Sequence, residues 1–172
     1  MPSTSAAQGS TPAASESRGA TEPAHLPFVD EHTVIVAADA ARVWSTLSRV
    51  VDRSFSGTGK TLFAHLLGCA DRTSSDRGAL AQGSTRPGFH VCTSIPGREL
   101  SLEGQHRFSR YALSFHIEEL GDDRTRVSAD TRAEFPNLRG RGYRALVIGT
   151  GGHVLVVHHM LAAVKRAAER SR

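Results

Sequence analysis

The chain has 172 residues, 39% apolar and 22% charged, enough for one sizeable core and too few for two ordinary domains. Its net charge of +4 is weak evidence for a nucleic-acid partner: Lys60 and Lys165 are the only lysines among 21 basic residues, an arginine-heavy balance expected of a GC-rich bacterial genome. No run of 18 apolar residues occurs, which excludes an ordinary membrane-spanning helix, and Cys69 and Cys92 are too few for a disulfide scaffold and lack C-x-x-C spacing.

Twenty of the first 27 residues are Ser, Thr, Ala, Gly or Pro. Such a segment cannot offset the cost of ordering its backbone, about 1–2 kcal/mol per residue, so 1–27 reads as a disordered leader. It has neither the basic start and apolar stretch of a secretory signal nor the arginine-rich, acid-free character of a transit peptide, since Arg18 stands against Glu16 and Glu22. A single domain is expected over 28–172, in the cytoplasm.

His32–Ala37 is short and β-branched, a strand. Asp39 is a suitable N-cap for a helix carrying Val43, Trp44, Leu47, Val50 and Val51, which should stop before Ser54–Gly59. Leu62, Phe63, Leu66 and Leu67 predict a second, shorter helix ending at Gly68. Residues 69–87 are turn-rich, with room for an edge strand.

Alternation then takes over. Phe89, Val91, Thr93 and Ile95 share one strand face, opposite His90, Cys92 and Ser94, and Pro96-Gly97 is a strong turn. Leu100 and Leu102 alternate with Ser101 and Glu103. Tyr111, Leu113, Phe115 and Ile117 alternate with Ala112, Ser114, His116 and Glu118. Between these two strands the turn is ambiguous, because Ser109-Arg110 is poor turn chemistry and Glu103-Gly104 competes. After Gly121-Asp122-Asp123, a last strand sets Thr125, Val127, Ala129, Thr131, Ala133 and Phe135 against a polar face. The pattern is an antiparallel meander with one apolar and one wet face.

Tyr143, Val147, Thr150, Val154, Val157, Leu161, Val164 and Ala168 form a sustained helical stripe. A helix from Arg141 to Glu169 would be roughly 43 Å long. Its weak point is Gly149-Thr150-Gly151-Gly152, where three glycines cost about 3 kcal/mol relative to alanine.

A one-faced sheet must bury its apolar side, and this helix is the partner of matching length, giving an α+β architecture. The order of elements resembles the helix-grip fold of the START-like (SRPBCC) superfamily, which includes polyketide cyclases and lipid-transport domains. The features that carry the resemblance are the opening Thr33-Val34-Ile35-Val36-Ala37-Ala38-Asp39-Ala40-Ala41-Arg42-Val43-Trp44, the Pro96-Gly97-Arg98-Glu99-Leu100 hairpin and the Gly121–Val127 turn into the last strand. The resemblance implies a curved antiparallel sheet wrapped around a long C-terminal helix, with an apolar cavity between them for a hydrophobic small molecule. It supplies no universal catalytic residue.

Other motifs carry less. Ser56-Gly57-Thr58-Gly59-Lys60-Thr61 imitates the end of a P-loop, but Ser54 stands where the first glycine belongs and the preceding segment is helical. Val147–Gly152 imitates a dinucleotide fingerprint, with Val154 in place of its third glycine and too little chain after it. His153, His158 and His159 lack the i, i+4 spacing of a zinc helix, and no metal or cofactor is expected. The basic residues of the last 34 suit a helix C-terminus and a solvated face, and no aromatics interleave with them for stacking on nucleic acid.

The leading expectation is therefore a carrier or binder of a hydrophobic small molecule, monomeric or homodimeric. Thr93, Thr131, Tyr111, Tyr143 and Thr150 would supply polar groups on otherwise apolar faces, and Phe89, Leu113, Phe115 and Val147 the apolar lining. His106 and His153 are candidate ligand contacts. The rival is a polyketide cyclase or dehydratase using His106 or Tyr111 as acid–base groups, and a third possibility is a protein-interaction module.

Overall fold

The computed structural model describes residues 26–55, 80–106, 109–136 and 151–170, with His106 described in its backbone alone. Six strands, β1 (Phe28–Val36), β2 (Thr85–Arg86), β3 (Phe89–Ile95), β4 (Glu99–His106), β5 (Ser109–Gly121) and β6 (Arg124–Glu134), form one antiparallel sheet in the order β1-β6-β5-β4-β3-β2. Two helices, α1 (Ala40–Phe55) and α2 (Gly152–Arg170), pack on one face of it and on each other. The architecture is α+β, as expected.

Each element follows from local chemistry. Asp39 caps α1, its carboxylate accepting the Arg42 amide at 2.8 Å and its carbonyl the Val43 amide. The helix runs one residue beyond Ser54, to Phe55, and Asp52 near its end pairs with Arg86 of β2 at 2.8 Å. Arg86 is 1% exposed, so this pair fixes the far edge of the sheet to α1. At the β3–β4 hairpin the Arg98 amide bonds the Ile95 carbonyl across Pro96-Gly97, and Gly97 takes φ +73°, as a type II turn requires. Asp122 and Asp123 both have positive φ, the two-residue turn whose twist suits a β-hairpin.

The inner face of the sheet is read from the register. Val36 pairs with Thr125, Val34 with Val127, His32 with Ala129 and Asp30 with Thr131. Leu113 and Phe115 pair with Thr131 and Ala129 on one side and with Leu102 and Leu100 on the other. Val36, Val127, Ala129, Leu100, Leu102 and Phe115 are fully buried together with Val43, Leu47 and Val51 of α1 and Val157, Met160, Leu161, Val164 and Ala168 of α2. This is the core of the described residues.

Several expectations change. Helix α2 does not run unbroken from Arg141: Gly151 has φ +68°, a left-handed conformation that no α-helix interior accommodates, and the helix begins at Gly152. A β-bulge between Val91 and Thr93 shifts β3 by one residue. Thr93 consequently pairs with Ser101 on the outer face, not inside as the alternation predicts, and Ile95 is 45% exposed. The outer face is not uniformly wet either. Ser101, Ala112 and Ser114 are buried, with the Ser101 hydroxyl bonded to Ser114 and to Glu99, which lies over it.

The pairing of β4 with β5 continues to His106 with Ser109. Gly104, a candidate turn residue by sequence, lies in mid-strand opposite Tyr111. A Cβ there would collide with the Tyr111 ring and the Gly88 carbonyl. Only glycine permits that close approach. At the other end, Leu26 is buried and the Pro27 carbonyl accepts the Ala133 amide, so the two residues before Phe28 pack with the domain. The proposed second helix, the P-loop-like segment, Phe63, Cys69, the leader up to residue 25 and Tyr143, Val147 and Thr150 lie outside the described residues. No described helix is long and apolar enough to cross a membrane.

Candidate functional site

The inner face divides into two halves along α2, which runs in the same direction as β1: His153 meets Asp30, His158 meets His32, Lys165 meets Ile35 and Glu169 meets Ala37. Toward the helix C-terminus the seam is closed: Lys165 Nζ donates to the Ile35 carbonyl at 2.7 Å and the Ala37 amide donates to Glu169 at 3.0 Å, flanking the apolar core. Toward the helix N-terminus it becomes polar. His153 Nε2 lies 2.7 Å from Asp30 Oδ2, His32 Nε2 lies 3.3 Å from the same oxygen, and His158 Nε2 lies 3.0 Å from His32 Nδ1. The His32 and His158 rings meet edge to face with centroids 4.3 Å apart.

This string of four side chains is placed by simple geometry. Asp30 and His32 precede Val34 and Val36 at two-residue spacing, so all four face the helix. Beside Asp30, across the ladder, sits Thr131. Asp30 Oδ1 and Thr131 Oγ1 are both buried, and neither makes a regular hydrogen bond. Burial opposes ionisation of Asp30. The His153 hydrogen bond, the nearby Thr131 hydroxyl and the charges of His153 and His32 outweigh it, leaving the carboxyl below its ordinary pKa of 3.8. The group is therefore a carboxylate that orients an imidazole through one oxygen, with the Thr131 hydroxyl near the carboxyl and no regular hydrogen bond on the other oxygen.

The sequence candidates divide accordingly. Thr131 and His153 come together at this polar end, while Leu113 and Phe115 are buried in the core next to it. Tyr111 and Phe89 form a separate aromatic group with Phe55: ring centroids lie 4.9 Å apart for Phe89–Tyr111 and 4.5 Å for Phe55–Phe89. The Tyr111 hydroxyl donates to the Gly88 carbonyl at 2.7 Å, so it braces a turn and is engaged. Thr93 is on the other face. His106 ends its strand with the same parity as Leu100 and Leu102.

Asp30 and His32 are the members that sequence reasoning missed. The expected strand began at His32. Extending its alternation two residues upstream, from Val36 through Val34 and His32 to Asp30, would have put both on the inner face.

Two other features bear on function. An open groove of about 590 Å³ runs between the first turns of α1 and the β3–β4 hairpin, lined by Ala40, Trp44, Pro96, Arg98, Ile117 and Glu119 among others. No residue of α2 lines it. On the outer face, burial and the Glu103 carboxylate push the Cys92 thiol up to about 12, so it is no activated nucleophile.

Comparison of the structure with solved structures finds extended similarity at low sequence identity. A conserved protein from Geobacillus kaustophilus aligns with 82% of this chain and 95% of its own, at 13% identity and a TM-score of 0.52. A START superfamily protein from Mycobacterium smegmatis aligns with 84% of this chain and 99% of its own, at 18% identity and a TM-score of 0.50. The fold is START-like. A fainter likeness, with a TM-score of 0.49 and 15% identity, covers 81% of this chain and 46% of the di-domain ARO/CYC BexL. No family model matches the sequence, and no curated protein matches it. The likeness therefore bears on the START-like architecture, a sheet gripping its C-terminal helix, and leaves the chemistry to the residues at the polar end of the grip.

Proposed function

We propose that the protein binds a small, mainly apolar molecule between its sheet and α2, with a hydroxyl group of that molecule held at Asp30, Thr131 and His153. The supporting observation is the pair of neighbouring buried oxygens, Asp30 Oδ1 and Thr131 Oγ1: the Thr131 hydroxyl lies close enough to stabilise the carboxylate, but neither atom makes a hydrogen bond of regular geometry with a described residue. A buried polar atom in that state costs about 1–3 kcal/mol, which a guest supplying the missing bond would recover. An ionised carboxylate only accepts, so the matching group is a donor, a phenol or an alcohol, in preference to a ketone or an ether. The apolar half of the seam is filled by side chains, which favours the polar end for the guest.

Native mass spectrometry of the full chain, purified without denaturation, is expected to show a co-bound small molecule removable by organic extraction. Protein that is uniformly free of such a molecule, and that also fails to take up naphthol when it is added, contradicts the proposal.

A second reading, an enzyme of the cyclase or dehydratase type, draws on the 2.7 Å contact between His153 and Asp30. A carboxylate that orients an imidazole is the arrangement used for general acid–base catalysis. Tyr111, with its hydroxyl committed to Gly88, takes no part. Under this reading His153→Gln abolishes turnover of a poly-β-ketone while naphthol binding persists.

A further inference from the structure

His90, Cys92 and Glu103 lie on the outer face of the sheet, away from the proposed binding end. His90 and Glu103 are direct cross-strand partners in β3 and β4, and Cys92 stands two residues along from His90, at the bulge. One donor atom from each side chain lies within 4.8 Å of the other two, and His90 Nε2 is 4.0 Å from Glu103 Oε2. Glu103 is only 16% exposed, whereas His90, at 46%, opens the cluster to solvent. The ion-pair partner of Glu103 among the described residues is His90.

Carboxylate, thiol and imidazole thus converge their donor atoms on one small volume, where a shared cation would meet all three. Oxygen alone would suit calcium or magnesium, and several sulfurs would suit copper(I). One nitrogen, one sulfur and one oxygen fit a borderline divalent ion. Tetrahedral zinc holds its donors at about 2.0–2.3 Å, which needs them roughly 3.3–3.7 Å apart. The three side chains reach that spacing by closing about 1 Å, within the range of a ring rotation and a carboxylate swing.

We propose that His90, Cys92 and Glu103 form a zinc site on the outer face of β3 and β4, with the fourth position left to water. Three protein ligands from two paired strands would clamp the β3–β4 hairpin, and the open position would leave the ion accessible. The site is independent of the small-molecule reading, since it occupies the opposite face.

The test uses Co²⁺ as a spectroscopic stand-in for Zn²⁺ on metal-free full-length protein. The expected result is a thiolate-to-cobalt charge-transfer band that saturates at one ion per chain and is bleached by Zn²⁺. The band should vanish in Cys92→Ser, persist in Cys69→Ser and weaken in affinity at least about tenfold in Glu103→Gln and His90→Ala. Wild-type protein without the band, or a band that survives Cys92→Ser, overturns the site. Circular dichroism of Cys92→Ser checks that it is folded. Should it not be, Glu103→Gln decides, and an unchanged cobalt affinity there overturns the proposal equally. Cobalt bound by the histidines around Asp30 gives no thiolate band and so cannot imitate the result.

Discussion

The two halves of the seam between α2 and β1 are built from the same kinds of element and do different things. Beyond Val157 the helix meets Val36, Val127 and Phe115 in a closed apolar interface whose polar contacts all end on backbone groups or flank it. Between Gly152 and His158 it meets Asp30 and His32, with Thr131 beside Asp30, polar side chains that satisfy each other incompletely. The difference teaches where stability and specificity reside. A filled apolar interface contributes most of the folding energy and offers no room, whereas an under-satisfied polar end contributes little and keeps bonding capacity for something else.

Substitutions should separate the halves. The largest effect is expected from Phe115→Ala, which leaves a cavity in the fully buried layer between Leu100 and Ala129 and should cost about 3–5 kcal/mol in chemical denaturation. A loss under about 1 kcal/mol would mean that the apolar half is looser than described.

Asp30→Asn should cost about 1 kcal/mol near neutral pH through the weakened His153 contact. Because the carboxyl of Asp30 has a lowered pKa in the fold, its contribution is complete above the ordinary 3.8 and is lost as pH falls through the folded value. The stability gap between wild type and Asp30→Asn should therefore close on acidification below about pH 4 and be constant above it as far as this carboxyl is concerned. A gap that widens in acid contradicts the assignment.

Tyr111→Phe removes the bond to Gly88 and should cost about 1 kcal/mol while leaving ligand uptake unchanged. Lost uptake would return Tyr111 to the site.

The architecture was legible because its signals are local and redundant. The alternation of Leu113, Phe115 and Ile117, the paired turns at Pro96-Gly97 and Asp122-Asp123, and the stripe from Val157 to Ala168 each specify one element, and burying their apolar faces leaves few ways to assemble them. What alternation cannot register is a one-residue insertion. The bulge at Cys92 moved Thr93 to the outer face without any change in residue type that announces it. Gly104 misled in the opposite way: its smallness serves the Tyr111 ring across the ladder, a contact made only once the sheet is assembled. The site itself was half legible. Thr131 and His153 stand out as polar residues on apolar faces, but the partner that joins them, Asp30, is more than 100 residues away from either in sequence.

The most direct test compares naphthol with methoxynaphthalene, two probes of nearly the same apolar area that differ in the hydroxyl donor, by titration of wild-type protein and of Thr131→Val and Asp30→Ala. The account predicts that wild type prefers naphthol by at least about tenfold, about 1.4 kcal/mol, and that the preference disappears in both variants while Thr131→Val stays as stable as wild type. Equal affinity of wild type for the two probes, or a preference that survives both substitutions, would contradict it.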